Sequence, residues 1–283
     1  MNKIKVLTLK APSAKLLRQL HKPPSELYIK GAYSPDKPSL AVVGSRKPTS
    51  YGRKVVDSLV SGLRGYEVQI VSGLALGVDM LSHQAALTNN LQACAVLPCG
   101  IDTVYPRSHA GLAQSILRAG GSLVSEYSGD TTPKRHSFIE RNRIIAALSD
   151  AVLIPEAALK SGSMHTANFA LELGLTVLAV PGPIDSSLSQ GTNTLISKGA
   201  TPVLSAEDIL EALSIAGEPK QTKLMFDSPQ QQQIYAYLKD SGSSDTGILV
   251  KNLGLPASEV QSALSLLELE GTIACSAGQW YLK

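Results

Sequence analysis

The chain has 283 residues, 43% of them hydrophobic and 17% charged, which is enough to bury a full core and to build one large domain plus a small one. A net charge of +3 is too slight to announce a polyanion partner, so the placement of the charges has to decide. The odd set Cys94, Cys99 and Cys275 lacks the paired spacing of a zinc site or disulfide framework, no 18-residue apolar run is present, and lysines interrupt Met1–Leu20 where a signal peptide would be apolar; the chain reads as cytoplasmic, with no membrane partner, metal or cofactor.

Residues 1–33 show weak patterning around Pro23-Pro24 and are expected to pack as an N-terminal extension on the sheet that follows. From Leu40 onward, short β-branched runs alternate with helix-length stretches. The expected strands are Leu40–Val43, Val68–Val71, Ala93–Leu97, Leu123-Val124, Ala151–Ile154, Val177–Val180 and Pro202–Leu204. The expected helices are Tyr51–Leu63, Gly111–Ala119, Phe138–Leu148, Met164–Leu173 and Ala206–Leu213. Such alternation over residues 34–213 predicts an α/β domain with a mostly parallel sheet wound on both faces.

A polar linker follows over 214–228. The segment 229–283 reads as helices around Gln231–Leu238, Gly247–Leu253 and Ser258–Glu270, closed by a hairpin across Ser276-Ala277-Gly278, the outline of a winged helix. Its charge runs against DNA reading, since it holds three lysines and no arginine against five acids, a net of −2 that leaves +5 for the remainder. A protein-contact module is the expectation.

In an open parallel sheet, ligands bind at the carboxyl ends of the strands. Four loops there carry small or basic residues: Gly44-Ser45-Arg46, Ser72-Gly73-Leu74 running to Asp79, Ser125-Glu126-Tyr127 leading to Lys134–Arg143, and Lys160-Ser161-Gly162-Ser163. Small residues let backbone amides and helix N-termini approach a phosphate closely. One such loop alone is equally explained by a sharp turn; four at one edge point to a site.

The stretch Lys134–Arg143 has the sharper content. Four cations, Lys134, Arg135, Arg141 and Arg143, lie beside Phe138, one of three phenylalanines in the chain. Helical spacing puts Arg141 and Asn142 on the side of Phe138, so a ring and hydrogen-bond donors would face one ligand. Rings stack bases and guanidinium groups hold phosphates. Ser137, just before the ring, joins the candidates; the alternative is a phenylalanine that staples a helix start, with solvated arginines. Arg46 follows the first strand directly, where a long cation would point into the crevice. The catalytic signatures of common enzyme classes are absent. Asp79, Asp102, Glu126, Glu156 and Glu172 remain as acid–base candidates, and the histidines lack ligand spacing.

These residues resemble the DNA-processing protein A family (DprA, also called Smf), bacterial proteins that bind incoming single-stranded DNA and load the RecA recombinase onto it. The resemblance covers roughly Pro24–Leu213 through Ala41–Arg46, Ser72–Asp79, Ser125–Tyr127, Phe138–Ile145 and Lys160–Ser163. It implies an extended Rossmann-like domain that binds single strands in a positive pocket without chemistry, using Arg46, Arg135, a stacking Phe138 and the backbone of Ser72-Gly73 and Ser161–Ser163. It further implies homodimerisation through that domain, a C-terminal winged helix, and a role in natural transformation. The sterile-alpha-motif-like domain of many members is expected to be absent or reduced to a remnant before Lys30. At superfamily level the layout is also similar to nucleoside-monophosphate phosphoribohydrolases. Their Pro-Gly-Gly-x-Gly-Thr loop is replaced here by Lys160–Thr166, with Glu172 in the helix beyond.

Overall fold

The computed structural model describes residues 4–11, 14–217, 219, 228–269 and 271–282, and the chain divides into two compact units, 1–220 and 221–283. The first is built on a nine-stranded sheet. Seven strands run parallel: β3 (Ser39–Val42), β4 (Gln69–Ser72), β5 (Gln92–Gly100), β6 (Ser122–Tyr127), β7 (Ala151–Ile154), β8 (Thr176–Ala179) and β9 (Thr201–Pro202). The antiparallel pair β1 (Ile4–Thr8) and β2 (Glu26–Gly31) extends the β6 edge, giving the order β1-β2-β6-β5-β4-β3-β7-β8-β9.

Period-two side-chain alternation splits each central strand between two cores. Leu40, Val42, Ile70 and Leu153 face α2 (Ser50–Ser61), α3 (Val78–Thr88), α4 (Ala110–Arg118) and α8 (Ala206–Ala212). Ala41, Val43, Val71, Val152 and Ile154 face α1 (Lys15–Gln19), α5 (Ser137–Ala147), α6 (Ser163–Glu172) and α7 (Gln190–Ser197). The doubly wound, Rossmann-like class is therefore as expected.

The differences from expectation have local causes. Residues 4–8 and 26–31 are strands of the sheet itself rather than an extension packed on it. β1 is an edge strand with most side chains in solvent, Val6 49% exposed among them, so no buried stripe marks it in the sequence. α3 is absent from the expected helices, because its core face carries the fully buried polar residues Ser82 and His83. α7 buries Gly191 and Thr192 beside Leu195, which likewise hides its periodicity.

The second unit comprises α9 (Pro229–Ser241), β10 (Ser243–Ser244), α10 (Thr246–Leu253), α11 (Ala257–Leu269), β11 (Ile273–Ser276) and β12 (Gln279–Leu282). A capping box between Ser228 and Gln231, with Pro229 in the first turn, starts α9. Ile234, Leu238, Leu249, Leu264, Leu267 and Trp280 form the core. β10 adds a third strand to the expected hairpin, completing a winged helix. Residues 218 and 220–227 of the expected linker, and Glu270 at the expected helix end, lie outside the described residues. No helix among the described residues is long and apolar enough to cross a membrane.

Candidate nucleic-acid interface

Strand order reverses between β3 and β7, which opens a crevice beyond their carboxyl ends. The loop after β3 is pinned from both sides: the Ser45 amide donates to the Glu156 carbonyl at 2.8 Å, and the Val78 amide donates to the Ser45 carbonyl at 3.0 Å. Gly77 makes the second contact feasible. Its φ is +78°, and a Cβ there would sit 2.3 Å from the Ser45 oxygen. Arg46 thus leaves a fixed backbone and projects, exposed, over the crevice.

The crevice is a cleft of about 660 Å³ that brings together Gly44, Ser45, Arg46, Arg135, Phe138, Arg141 and Asn142 with Lys160, Ser161, Gly162 and Ser163. Phe138 is half-buried, with the Arg46 guanidinium carbon 5.6 Å from its ring centroid, within cation–π reach. Across the cleft, α6 begins after Gly162, which makes no side-chain cap. The Ser161 and Ser163 hydroxyls are 2.8 Å apart, and Asn142 Nδ2 donates to the Gly162 carbonyl at 3.1 Å. The N-terminal end of a helix dipole and exposed cations therefore meet around one aromatic ring, an arrangement that attracts a phosphate and accepts a planar apolar group.

Other expected site residues have different work. Ser72 is fully buried, its hydroxyl donating to the Val42 carbonyl at 2.6 Å. The Ser137 hydroxyl is used by the Lys134 backbone, donating to its carbonyl and accepting from its amide. Lys134 is exposed and does not line the cleft, while Gly73 lines a smaller hollow behind Phe138. Arg141 borders the cleft but is only 5% exposed; its Nη1 donates to the carbonyls of Gly73 and Val96, the latter at 2.8 Å. Arg143 is held by both carboxylate oxygens of Glu126 at 2.6 Å. Of the four cations in that stretch, Arg135 is the one presented to the cleft with its side chain exposed. Tyr105, from the loop after β5, lines the cleft and meets Phe138 edge-to-face at 5.4 Å and 71°. Sequence reasoning missed it, because an aromatic in a long loop carries no periodic signal.

Four of the five candidate carboxylates are engaged within the fold, Glu126 by Arg143 and Asp102 by Lys30 at 2.9 Å among them. Glu156 is buried and accepts from the Thr49 amide at 2.8 Å and from the Thr49 hydroxyl at 2.5 Å, bracing the start of α2. Asp79 accepts from the Gly73 amide at 3.1 Å, and burial pushes its carboxyl above the ordinary range against the opposing pull of Arg141. Glu172 is exposed and does not border the cleft. Among the described residues, no cluster of three His, Cys, Asp or Glu is placed to hold a metal.

Beneath this floor lies His83, fully buried. Burial first, then the charge of Arg141, holds its imidazole down from 6.5 to about 3. The folded state refuses a proton that the unfolded chain takes up below 6.5, so stability is expected to fall as pH drops through that window. Its slope from this residue is about 1.4 kcal/mol per pH unit. Denaturant titration of His83→Gln across the window should show the slope reduced by one proton; an unchanged slope would remove His83 as its source.

Fold and cleft define a Rossmann-like α/β protein with a cationic, ring-bearing site at the switch point of its sheet, linked in sequence to a winged helix. The chain belongs to the DNA recombination-mediator protein A family, whose model matches residues 6–214, and the DprA winged helix domain model matches residues 218–279. It is 41% identical over 264 residues to protein Smf of Escherichia coli, covering 90% of this chain and 71% of that one. It is 38% identical to a Mycobacterium tuberculosis DprA protein, of which it spans 63%. The solved DprA of Streptococcus pneumoniae superposes with a TM-score of 0.68 at 36% identity, covering 74% of each chain. The solved DprA of Helicobacter pylori, described for its single-stranded DNA binding mode, gives 0.66 at 34%, covering 76% of this chain and 98% of that one.

Proposed function

We propose that this chain binds single-stranded DNA in the switch-point cleft without cleaving or modifying it, and delivers it to the RecA recombinase during DNA uptake and recombination. The observation that carries the reading is Phe138, half-buried in a cationic cleft beneath Arg46 and opposite the start of α6. A ring set inside a cleft can stack a base only if that base is free of a duplex, and stacking tolerates any sequence. Arg46, Arg135, Lys160 and the N-terminal end of α6 suit the phosphates on either side. Arg141 adds charge to the floor. The hydrolytic alternative has less support, because Glu172 stands away from the cleft and Asp79 is engaged by loop amides.

In this reading the Rossmann-like domain also forms the homodimer, and the protein works in the cytoplasm. The winged helix serves as a protein contact. Its helix α11 carries Glu259 and Glu268 and no lysine or arginine, whereas a duplex-reading helix needs cations toward the phosphates.

Titration of fluorescent oligo-dT and a duplex of equal length, each at two salt concentrations, tests the ligand. Phe138→Ala is expected to weaken single-strand binding by about 1–3 kcal/mol per stacked base with little change in salt slope. Equal affinity of variant and parent for oligo-dT would eliminate stacking on this ring.

A further inference from the structure

Behind Phe138, on the side of the β5 loop, lies a hollow of about 70 Å³ bordered by Leu76, Pro98, Tyr105, Pro106 and the Phe138 ring itself. It shares Arg46, Ala75, Tyr105, Phe138 and Arg141 with the large cleft, so the two adjoin around the phenylalanine. Its rim exposes apolar surface that the fold does not need to expose: Leu76 is 51% and Tyr105 44% accessible. The two prolines, Leu76 and the ring faces offer a phosphate nothing in exchange for its hydration, and of the two cations at the border Arg141 is committed to carbonyls. A planar, weakly polar group gives up far less hydration there.

We propose that Tyr105 is a second base-stacking residue, and that this hollow seats the edge of the nucleobase adjacent to the one on Phe138. The inference rests on the single-strand reading of the cleft and extends the strand's path past it. Rings whose centroids are 5.4 Å apart are close enough for neighbouring nucleotides of one strand to reach both, since consecutive bases lie about 3.4 Å apart when stacked and farther apart when splayed onto protein rings. The 71° between the ring planes means that the two bases cannot remain stacked on one another, so the strand turns at this step. The hollow is too small to enclose a whole ligand, since pockets that do so run to about 300 Å³ or more. It therefore takes an edge, with Tyr105 supplying the face. Arg46, shared by both compartments, is placed to meet the phosphate between the two nucleotides.

The full chain would be photocrosslinked to a short dT strand containing 5-iododeoxyuridine, and adducts mapped by peptide mass. Adducts at both Phe138 and Tyr105 are expected. Tyr105→Ala should weaken dT binding by about 5- to 150-fold, and Tyr105→Trp should restore it. Tyr105→Leu keeps bulk against Phe138 but offers no π face, and it is expected to bind as weakly as the alanine variant. If the leucine variant binds like the parent and no Tyr105 adduct forms, Tyr105 merely props Phe138 and the second position is overturned. If the parent itself binds no single strand, it is the reading of the cleft that fails. If the parent binds and only Phe138 variants weaken it, this inference alone falls.

Discussion

Replacing Arg46 and Arg135 together by alanine is expected to lower affinity for single-stranded DNA by about two to four orders of magnitude, because each charged hydrogen bond to phosphate contributes about 1.5–3 kcal/mol. Both side chains are exposed at the cleft, and neither joins an ion pair among the described residues. Their charge is free for a ligand. The slope of log affinity against log salt should flatten by about 1.4, since each neutralised phosphate of a single strand accounts for about 0.7. Arg53→Ala with Lys54→Ala removes the same net charge from α2 outside the cleft. That control should leave the slope almost unaltered. Similar slopes for the two double variants would mean that diffuse surface charge, not this cleft, attracts the strand.

Arg141→Met is expected to act through stability. The guanidinium donates to the carbonyls of Gly73 and Val96 and opposes the buried charge of Asp79. Without it two buried carbonyls lose their donor, at a cost of about 1–3 kcal/mol for each group left unsatisfied. The loss should depend on pH in a defined direction. Asp79 already titrates above 3.8 in the folded protein because burial disfavours its charge, and Arg141 is the first influence holding it down. Without Arg141 the folded-state pKa rises further, so the folded variant takes up a proton more readily than its unfolded chain. Its deficit relative to the parent therefore grows as pH rises through that raised pKa. Urea unfolding followed across a pH series above 3.8 should show a larger deficit at its upper end than at its lower end. A deficit equal at both, or larger at the lower pH, would contradict the role assigned to the Asp79 charge. Gly73→Ala should be damaging for the same reason: its Cβ would stand 2.3 Å from Arg141 Nη1 and 2.4 Å from Cζ, and that side chain is buried with its donors committed.

The order of strands and helices from β3 to α8, with the two exceptions on polar core faces, was legible in the sequence. So was the winged-helix outline. Parallel strands covered on both sides must be apolar throughout, and the amphipathic helices that cover them repeat at 3.6 residues, so local composition records both. The gathering of the glycine–serine loops and Arg46 at one edge of the sheet was legible too, since the doubly wound topology decides where ligands can approach.

Which donors remain free at that edge was settled only by the tertiary structure. Helical spacing placed Arg141 beside Phe138 but could not reveal the carbonyls of Gly73 and Val96, 68 and 45 residues away, that engage it. Nor could it reveal that Glu126 holds Arg143, or that Tyr105 arrives from another loop to meet the Phe138 ring. A residue's face on its own helix is a local property, fixed by backbone period. Whether its charge is satisfied or available depends on groups that only the folded chain brings within hydrogen-bond distance.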